Sequence, residues 1–214
     1  QELWDEIYEP FGVKALPAGN TGVQMGGWFN QEINKLEDFS GLVIRMPGLG
    51  GEVLRRLNAT VQTIPGGEIF QALKTGAIDA TEWVGPYNDM AFGFHQAAKY
   101  YYWPGWHEPG TVMEAIINQN AWRQLPKYLQ SIVKCACSTV NDNMLAEFTT
   151  RNSAALEILV TQHGVQLRRF SNNILESIGL IARDVVEEVA HKDPSTKKVY
   201  NSFIDYRKNS LSYT

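Results

Sequence analysis

Apolar positions fall in short runs through the first half of the chain and at helical spacing through the second. Residues 13–16 (Val-Lys-Ala-Leu) and 23–25 (Val-Gln-Met) read as strand pieces around the turn cluster 17–22. A short helical turn at 36–41 ends on Gly41. The compact run Leu42-Val-Ile-Arg45-Met46 then reads as a buried strand closed by Pro47-Gly48. A helix over 50–57, a strand over 59–62, a helix over 68–74 stopped by Gly76, and a strand over 77–81 follow. This alternation predicts a parallel α/β sheet with right-handed crossovers. Ligands of such sheets gather at the carboxyl ends of the strands. Three places are thereby singled out: at and after Arg45, after Gln62, and after Asp79.

Beyond the aromatic block 99–106, residues 111–118 read as another strand. A long helical stretch runs from 125 through 152 towards 162, stopped at Gly164. A strand over 165–168, a helix over 175–191, a break at Asp193-Pro194-Ser195 and a last helix over 197–208 complete the pattern. There is no internal repeat and no low-complexity tract.

Composition narrows the function classes. The chain has 214 residues, a net charge of -4, 44% hydrophobic and 20% charged residues, which suits a globular protein. Its basic pairs, Arg55-Arg56 and Arg168-Arg169, are isolated, and no stripe exists to neutralise phosphates, which argues against a nucleic-acid partner. No apolar run reaches the roughly 18 residues of a membrane span, and no leader pattern opens the chain. Gln1 leads directly into Glu-Leu-Trp-Asp-Glu-Ile-Tyr, the middle of a helical pattern, so a truncated start is expected. Cys135 and Cys137 stand two apart in a helical stretch and point away from each other, which disfavours a disulfide and a metal site alike. They read as small, semi-buried residues.

Candidate chemistry sits at the predicted strand ends. Arg45 closes an apolar strand, where a guanidinium is costly to bury without an anion. Its planar fork suits a carboxylate, whether from a ligand or from an internal salt bridge. Glu82 lies just past a strand end beside Trp83, as a general base, a partner for Arg45, or a ligand of a hard cation. Gln24, placed on another strand, offers an amide oxygen. Trp106 and Glu108 are candidates for a pocket wall, held by Pro104-Gly105 and Pro109-Gly110. His107 beside Glu108 suggests acid–base work, although sequence neighbours seldom face one site. His95, His163 and His191 lack a zinc spacing. Gly48-Leu-Gly-Gly51 reads as a tight strand-to-helix turn and departs from the dinucleotide fingerprint.

These residues carry a family resemblance. The run Gly41-Leu-Val-Ile-Arg-Met-Pro-Gly48 and the stretch Pro65-Gly-Gly-Glu-Ile-Phe-Gln-Ala-Leu-Lys-Thr-Gly-Ala-Ile-Asp-Ala-Thr-Glu-Trp83 resemble the DctP-like periplasmic solute-binding subunits of tripartite ATP-independent periplasmic (TRAP) transporters. Gln24-Met-Gly-Gly-Trp-Phe29, Thr81-Glu-Trp-Val-Gly-Pro86 and Tyr102-Trp-Pro-Gly-Trp-His-Glu-Pro109 are similar to the branch that binds 2-oxo acids such as pyruvate with sodium, and to relatives that bind lactate with calcium. The resemblance runs over nearly the whole chain.

The resemblance implies a fold, a site and partners. The fold is α/β and periplasmic-binding-protein-like, a parallel-sheet lobe with long C-terminal helices and an incomplete first lobe. Residues 1–21 would be a remnant of the first lobe with a crossover strand. Residues 22–110 would be the second lobe, 111–160 a strand and long helix belonging to the first lobe or hinge, 161–195 a return to the second lobe, and 196–214 a C-terminal helix open to exchange in a homodimer. Arg45 would hold the substrate carboxylate. Gln24, Glu82 and the backbone carbonyl of Trp83 would hold a cation, sodium favoured over calcium, with Trp106 and Glu108 lining the pocket. No catalytic cofactor is implied. The protein would be periplasmic and non-enzymatic, delivering a small 2-oxo or 2-hydroxy monocarboxylate to membrane permease subunits. The alternatives are a truncated fragment without ligand competence and a metal-dependent keto-acid lyase.

Overall fold

A computed structural model describes residues 1–212. Helix α1 (Glu2–Tyr8) and a 3-10 turn (Glu9–Phe11) precede strand β1 (Val13–Asn20). β1 pairs antiparallel with β7 (Val112–Asn118) in a two-stranded sheet. The second sheet has six strands in the order β4-β3-β5-β2-β6-β8. They are β2 (Gly27–Phe29), β3 (Val43–Arg45), β4 (Thr60–Gln62), β5 (Ala80–Thr81), β6 (Tyr100–Trp103) and β8 (Gln166–Arg169). β3 lies parallel to both β4 and β5, linked through α2 (Gly48–Arg55) and α3 (Gly66–Thr75). The expected strand–helix–strand–helix–strand order is thus present. The sheet as a whole is mixed, because β2 runs antiparallel to β5 and β6.

Two expected strand pieces are corrected. β1 continues past Pro17 to Asn20, inside the supposed turn cluster, with a register shift between Pro17 and Gly19. A proline lacks the ladder donor and is tolerated where pairing is irregular. Residues 23–25 carry no strand. Gln24 lies instead on the connection from β1 to β2.

Side chains alternate across β2 and β6, and this alternation builds a core on each face of the sheet. Phe29 and Tyr102 join Ile44, Leu54, Phe170 and Ile178 on one face. Trp28 and Tyr101 join Ile69, Leu73, Phe94 and Leu159 on the other. Trp28 and Tyr101 are direct cross-strand partners, stacked with ring centroids 4.0 Å apart. The aromatic block is therefore partly a strand, hidden in the sequence because neither face of it is polar.

Helix α4 (Pro86–Ala91) follows the β5 loop. Its Asp89 is buried and accepts four hydrogen bonds: from Trp28 Nε1 (2.9 Å), the Tyr101 hydroxyl (2.7 Å), Val84 N (3.2 Å) and Gly85 N (3.0 Å). One carboxylate thus ties residues 84–85 to β2 and β6.

The helical half follows its breakers. α5 (Gln119–Gln124) stops before Pro126, which disfavours helical geometry in the residue preceding it. α6 (Lys127–Thr161) spans 35 residues. α7 (Asn172–Ala190) is capped by Ser171, whose hydroxyl accepts from Ile174 N. α8 (Pro194–Leu211) starts three residues before the expected 197, because Asp193 accepts from Ser195 N (2.8 Å) and Thr196 N (3.0 Å) and Pro194 suits the first helical position. The predicted last segment, 196–214, reaches beyond the described residues at 213–214. Both cysteines lie on α6 as free thiols.

Burial pushes the Asp89 carboxyl up from 3.8 to about 6, against the lowering effect of its four donors. A folded-state pKa above the unfolded one gives stability that is full below about pH 3.8 and lost as pH rises through about 6. The Asp89→Asn variant removes this titration. The stability of the unaltered chain relative to that variant should fall by about 3 kcal/mol between roughly pH 4 and 7, read from urea melts.

Candidate functional site

The parallel strands β4, β3 and β5 end together, and Arg45 stitches their ends. It closes β3 opposite Gln62 and Thr81. Its Nε donates to the Ile64 carbonyl (3.4 Å), beyond β4, and its Nη1 to the Glu82 carbonyl (3.3 Å), beyond β5. Nη1 also meets Glu82 Oε1 in a salt bridge. The Arg45 and Glu82 side chains are only 11% and 4% exposed. The guanidinium stands 5.2 Å from the Trp83 ring centroid, within cation–π range.

The second carboxylate oxygen of Glu82 has its own partner. His107 Nε2 lies 3.2 Å from Glu82 Oε2, and the imidazole is equally buried. A carboxylate only accepts, so Nε2 carries the proton of this contact. Among the described residues Nδ1 has no partner. The sequence suggested His107 with Glu108; the fold pairs it with Glu82. Room for it comes from Gly50, where an added Cβ would stand 2.8 Å from His107 Cβ. The glycine run read as a tight turn therefore also admits a side chain from a distant loop.

Gln24 is 3% exposed and held by its amide nitrogen. Nε2 donates to Thr21 Oγ1 (3.1 Å) and Thr111 Oγ1 (2.8 Å), which leaves Oε1 buried and without a partner among the described residues. The next residue, Met25, donates its N–H to the Val84 carbonyl (3.1 Å), so the 24–25 segment runs beside the loop that carries Glu82 and Trp83. The 104–106 turn closes from the other side, where a Cβ on Gly105 would be 2.7 Å from the Gln24 carbonyl.

Glu108 is exposed, and its carboxylate accepts from the Thr111 hydroxyl, so it reaches the cluster only through Thr111 and Gln24. Trp106 is half-buried against the core face of Ile44 and Phe170, its ring edge-on to His107 with centroids 5.6 Å apart. Sequence reasoning missed Thr21, Thr111 and Asp89. The two threonines carry no signal until the β1–β7 pairing sets them side by side, with Thr111 N donating to Thr21 Oγ1 (3.0 Å).

The arrangement offers one guanidinium for an anion and one carboxylate with an orphaned amide oxygen for a hard cation. Among the described residues no group of three or more His, Cys, Asp or Glu side chains converges. These opposite charges sit together at the carboxyl ends of the parallel strands β4, β3 and β5. The chain belongs to the bacterial extracellular solute-binding proteins of family 7, the DctP family, whose model matches residues 1–193.

A monocarboxylate 2-oxoacid-binding periplasmic protein from Nostoc sp. is 46% identical over 97% of this chain and 59% of its own length. Among solved structures, a TRAP periplasmic solute-binding protein from Colwellia psychrerythraea with bound calcium and pyruvate is 42% identical, with a TM-score of 0.94, covering 100% of this chain and 65% of that one. A second, from Pseudoalteromonas atlantica with bound sodium and pyruvate, is 40% identical with a TM-score of 0.93 over the same shares. The chain thus spans about three-fifths of the length of these relatives. The α/β binding-protein fold expected from the motifs holds. Among the described residues no helix is long and apolar enough to cross a membrane.

Replacing Gly50 by alanine forces His107 or Met46 to move, and Met46 Sδ is itself 2.9 Å from the new Cβ. Gly50→Ala should lower stability by about 1–3 kcal/mol, as overpacking does, measured by chemical denaturation.

Proposed function

We propose that this chain captures a small 2-oxo or 2-hydroxy monocarboxylate, pyruvate foremost, together with a metal cation. It would do so in the periplasm, as the solute-binding component of a TRAP transporter delivering its ligand to the membrane permease subunits. The observation that carries the reading is the buried Arg45 at the end of β3, faced by Glu82 and flanked by the orphaned oxygen of Gln24. Pyruvate with calcium or sodium in the two solved relatives supports it.

Arg45 binds the substrate carboxylate. Gln24 Oε1, a Glu82 oxygen and the Trp83 carbonyl hold the cation, which supplies a positive charge shared with the ligand's own oxygens. Charge favours sodium over calcium: Arg45, Glu82, one monocarboxylate and one monovalent cation sum to zero, while a divalent ion leaves a surplus positive charge in a buried site. Trp106 and Glu108 belong to the pocket's rim. No bond is made or broken, so the protein is a receptor and not an enzyme. Residues 22–110 with 161–195 form the second lobe, which carries the site, and residues 1–21 with 111–160 belong to the first lobe or hinge. The exposed Val199, Phe203, Tyr206 and Leu211 of α8 support pairing with a second copy.

Calorimetric titration with pyruvate, in sodium and then in a bulky organic cation, tests the reading. Binding is expected in sodium, and Arg45→Ala should weaken it by at least about 30-fold, the scale of losing one partner of a buried charge pair. Equal binding by Arg45→Ala would sink the assignment.

A further inference from the structure

Strands β3, β5, β6 and β8 run the same way, since β2 lies antiparallel to both β5 and β6. Residues that precede β6 and β8 therefore stand at the opposite end of the sheet from the Arg45–Glu82 cluster, which follows β3 and β5. Two histidines meet there. His95 lies in the 3-10 turn Phe94–Gln96 before β6, and His163 lies between α6 and β8. Their ring centroids are 4.3 Å apart, with the planes tilted by 41°. We propose that this pair is a second cation site, one that takes a borderline divalent transition-metal ion of the zinc, nickel or copper class.

The backbone sets the pair in place. Tyr100 of β6 and Gln166 of β8 are register partners, and Gln166 N donates to the Lys99 carbonyl (3.0 Å). The turn before β6 is closed by Ala97 N and Ala98 N, which both donate to the Phe94 carbonyl at 2.9 Å. His163 N donates to the Ile158 carbonyl (3.3 Å) at the end of α6. Each imidazole thus springs from a hydrogen-bonded turn beside a fixed strand register, and little backbone order remains to be paid on chelation.

The chemistry of the surroundings selects the ion. The imidazoles front an open cavity of about 310 Å³ whose other polar walls are Asn30, Gln96 and Lys99. Among the described residues no carboxylate lines it, so sodium and calcium lack the oxygen shell they need, whereas neutral imidazole suits zinc, copper and nickel. His95 Nδ1 is buried without a partner among the described residues, and an ion held between the rings would give it one. Burial, and then the neighbouring His163, hold the His95 imidazole below its ordinary pKa, so the ring is neutral and its lone pair available at neutral pH. The ammonium of Lys99 would repel a cation, but it stands 5.2 Å from the Tyr100 ring centroid, and Tyr100 packs on the opposite core. The amide of Asn30 and water complete the coordination. A bound ion would fasten the end of α6 to the turn before β6.

Metal titrations and thermal melts of the 214-residue chain test the proposal, with Cys135→Ser and Cys137→Ser as background so that free thiols do not compete. Zinc chloride at a hundred times its Kd should raise Tm by about 5–10 °C. His163→Ala is the decisive variant, because His163 is exposed and its removal spares the core. It should weaken zinc and nickel binding by about 100-fold, the loss of one arm of a chelate, and His95→Ala should do the same. His191→Ala should leave binding unchanged, since that ring contacts the Glu187 carbonyl of its own helix. One equivalent of copper(II) should show paramagnetic-resonance splitting from both imidazoles, reduced in either variant.

No response to zinc, nickel or copper at millimolar concentration would overturn the site. Binding undiminished in His163→Ala would place the metal elsewhere and overturn it as well. Loss in His163→Ala with full binding in His95→Ala would reduce the site to a single surface histidine. Should His95→Ala fail to fold, the copper spectrum of the unaltered chain decides, and splitting from one imidazole alone would defeat the pair. None of these outcomes depends on what the strand-end cluster binds.

Discussion

A guanidinium shut inside a protein must be met by negative charge or by carbonyl oxygen, and Arg45 arranges its neighbourhood accordingly. The two flanking strand ends bring it acceptors: the Ile64 carbonyl from beyond β4, and the carbonyl and carboxylate of Glu82 from beyond β5. The loops after β4 and β5 therefore cannot move independently of β3. Glu82 in turn recruits His107 from the loop after β6, and His107 needs the missing side chain of Gly50. One buried positive charge thus links four connections that lie far apart in sequence.

Behind that cluster stands a second buried carboxylate with a similar logic. Asp89 gathers one indole donor from β2, one phenol donor from β6 and two amides from the loop after β5. A short helix of six residues could not hold its position by its own ladder. It is held because four donors would otherwise be buried without partners. The loop bearing Glu82 and Trp83 is consequently pinned at both ends, by Arg45 in front and by Asp89 behind.

What could be read from the amino acids alone follows from how local each signal is. The β3-α2-β4-α3-β5 unit was legible, because glycine and proline punctuate runs whose period changes from strand to helix. Arg45 and Glu82 were legible because a charge at the end of an apolar strand stands out against its surroundings. β6 was not, since Tyr101 and Tyr102 are both fully buried and leave no polar alternation to see. The course of β1 through Pro17 was hidden by residues that elsewhere make turns, and the amide of Gln24 was consequently placed on a strand that does not exist. The Glu82 partner of His107, and Asp89 itself, escaped for a common reason. Glu82 lies 25 residues from His107, the side-chain donors to Asp89 lie 12 and 61 residues from it, and nothing in the intervening sequence announces the meeting.

α6 has a mechanical consequence. Asn152, near its far end, accepts the Tyr87 amide (2.9 Å) at the start of α4, and its side chain lies against Gly85, in the segment pinned by Asp89. From there to Lys127 the helix runs 25 residues, about 38 Å at 1.5 Å per residue. A rigid rod of that length is a lever. A tilt of about 5° about Asn152 would carry the Lys127 end through roughly 3 Å. The geometry beside the Glu82 loop is thereby magnified at a distance, where α5 and the start of α6 lie, and motion at that far end is reduced by the same ratio when it reaches the charged cluster.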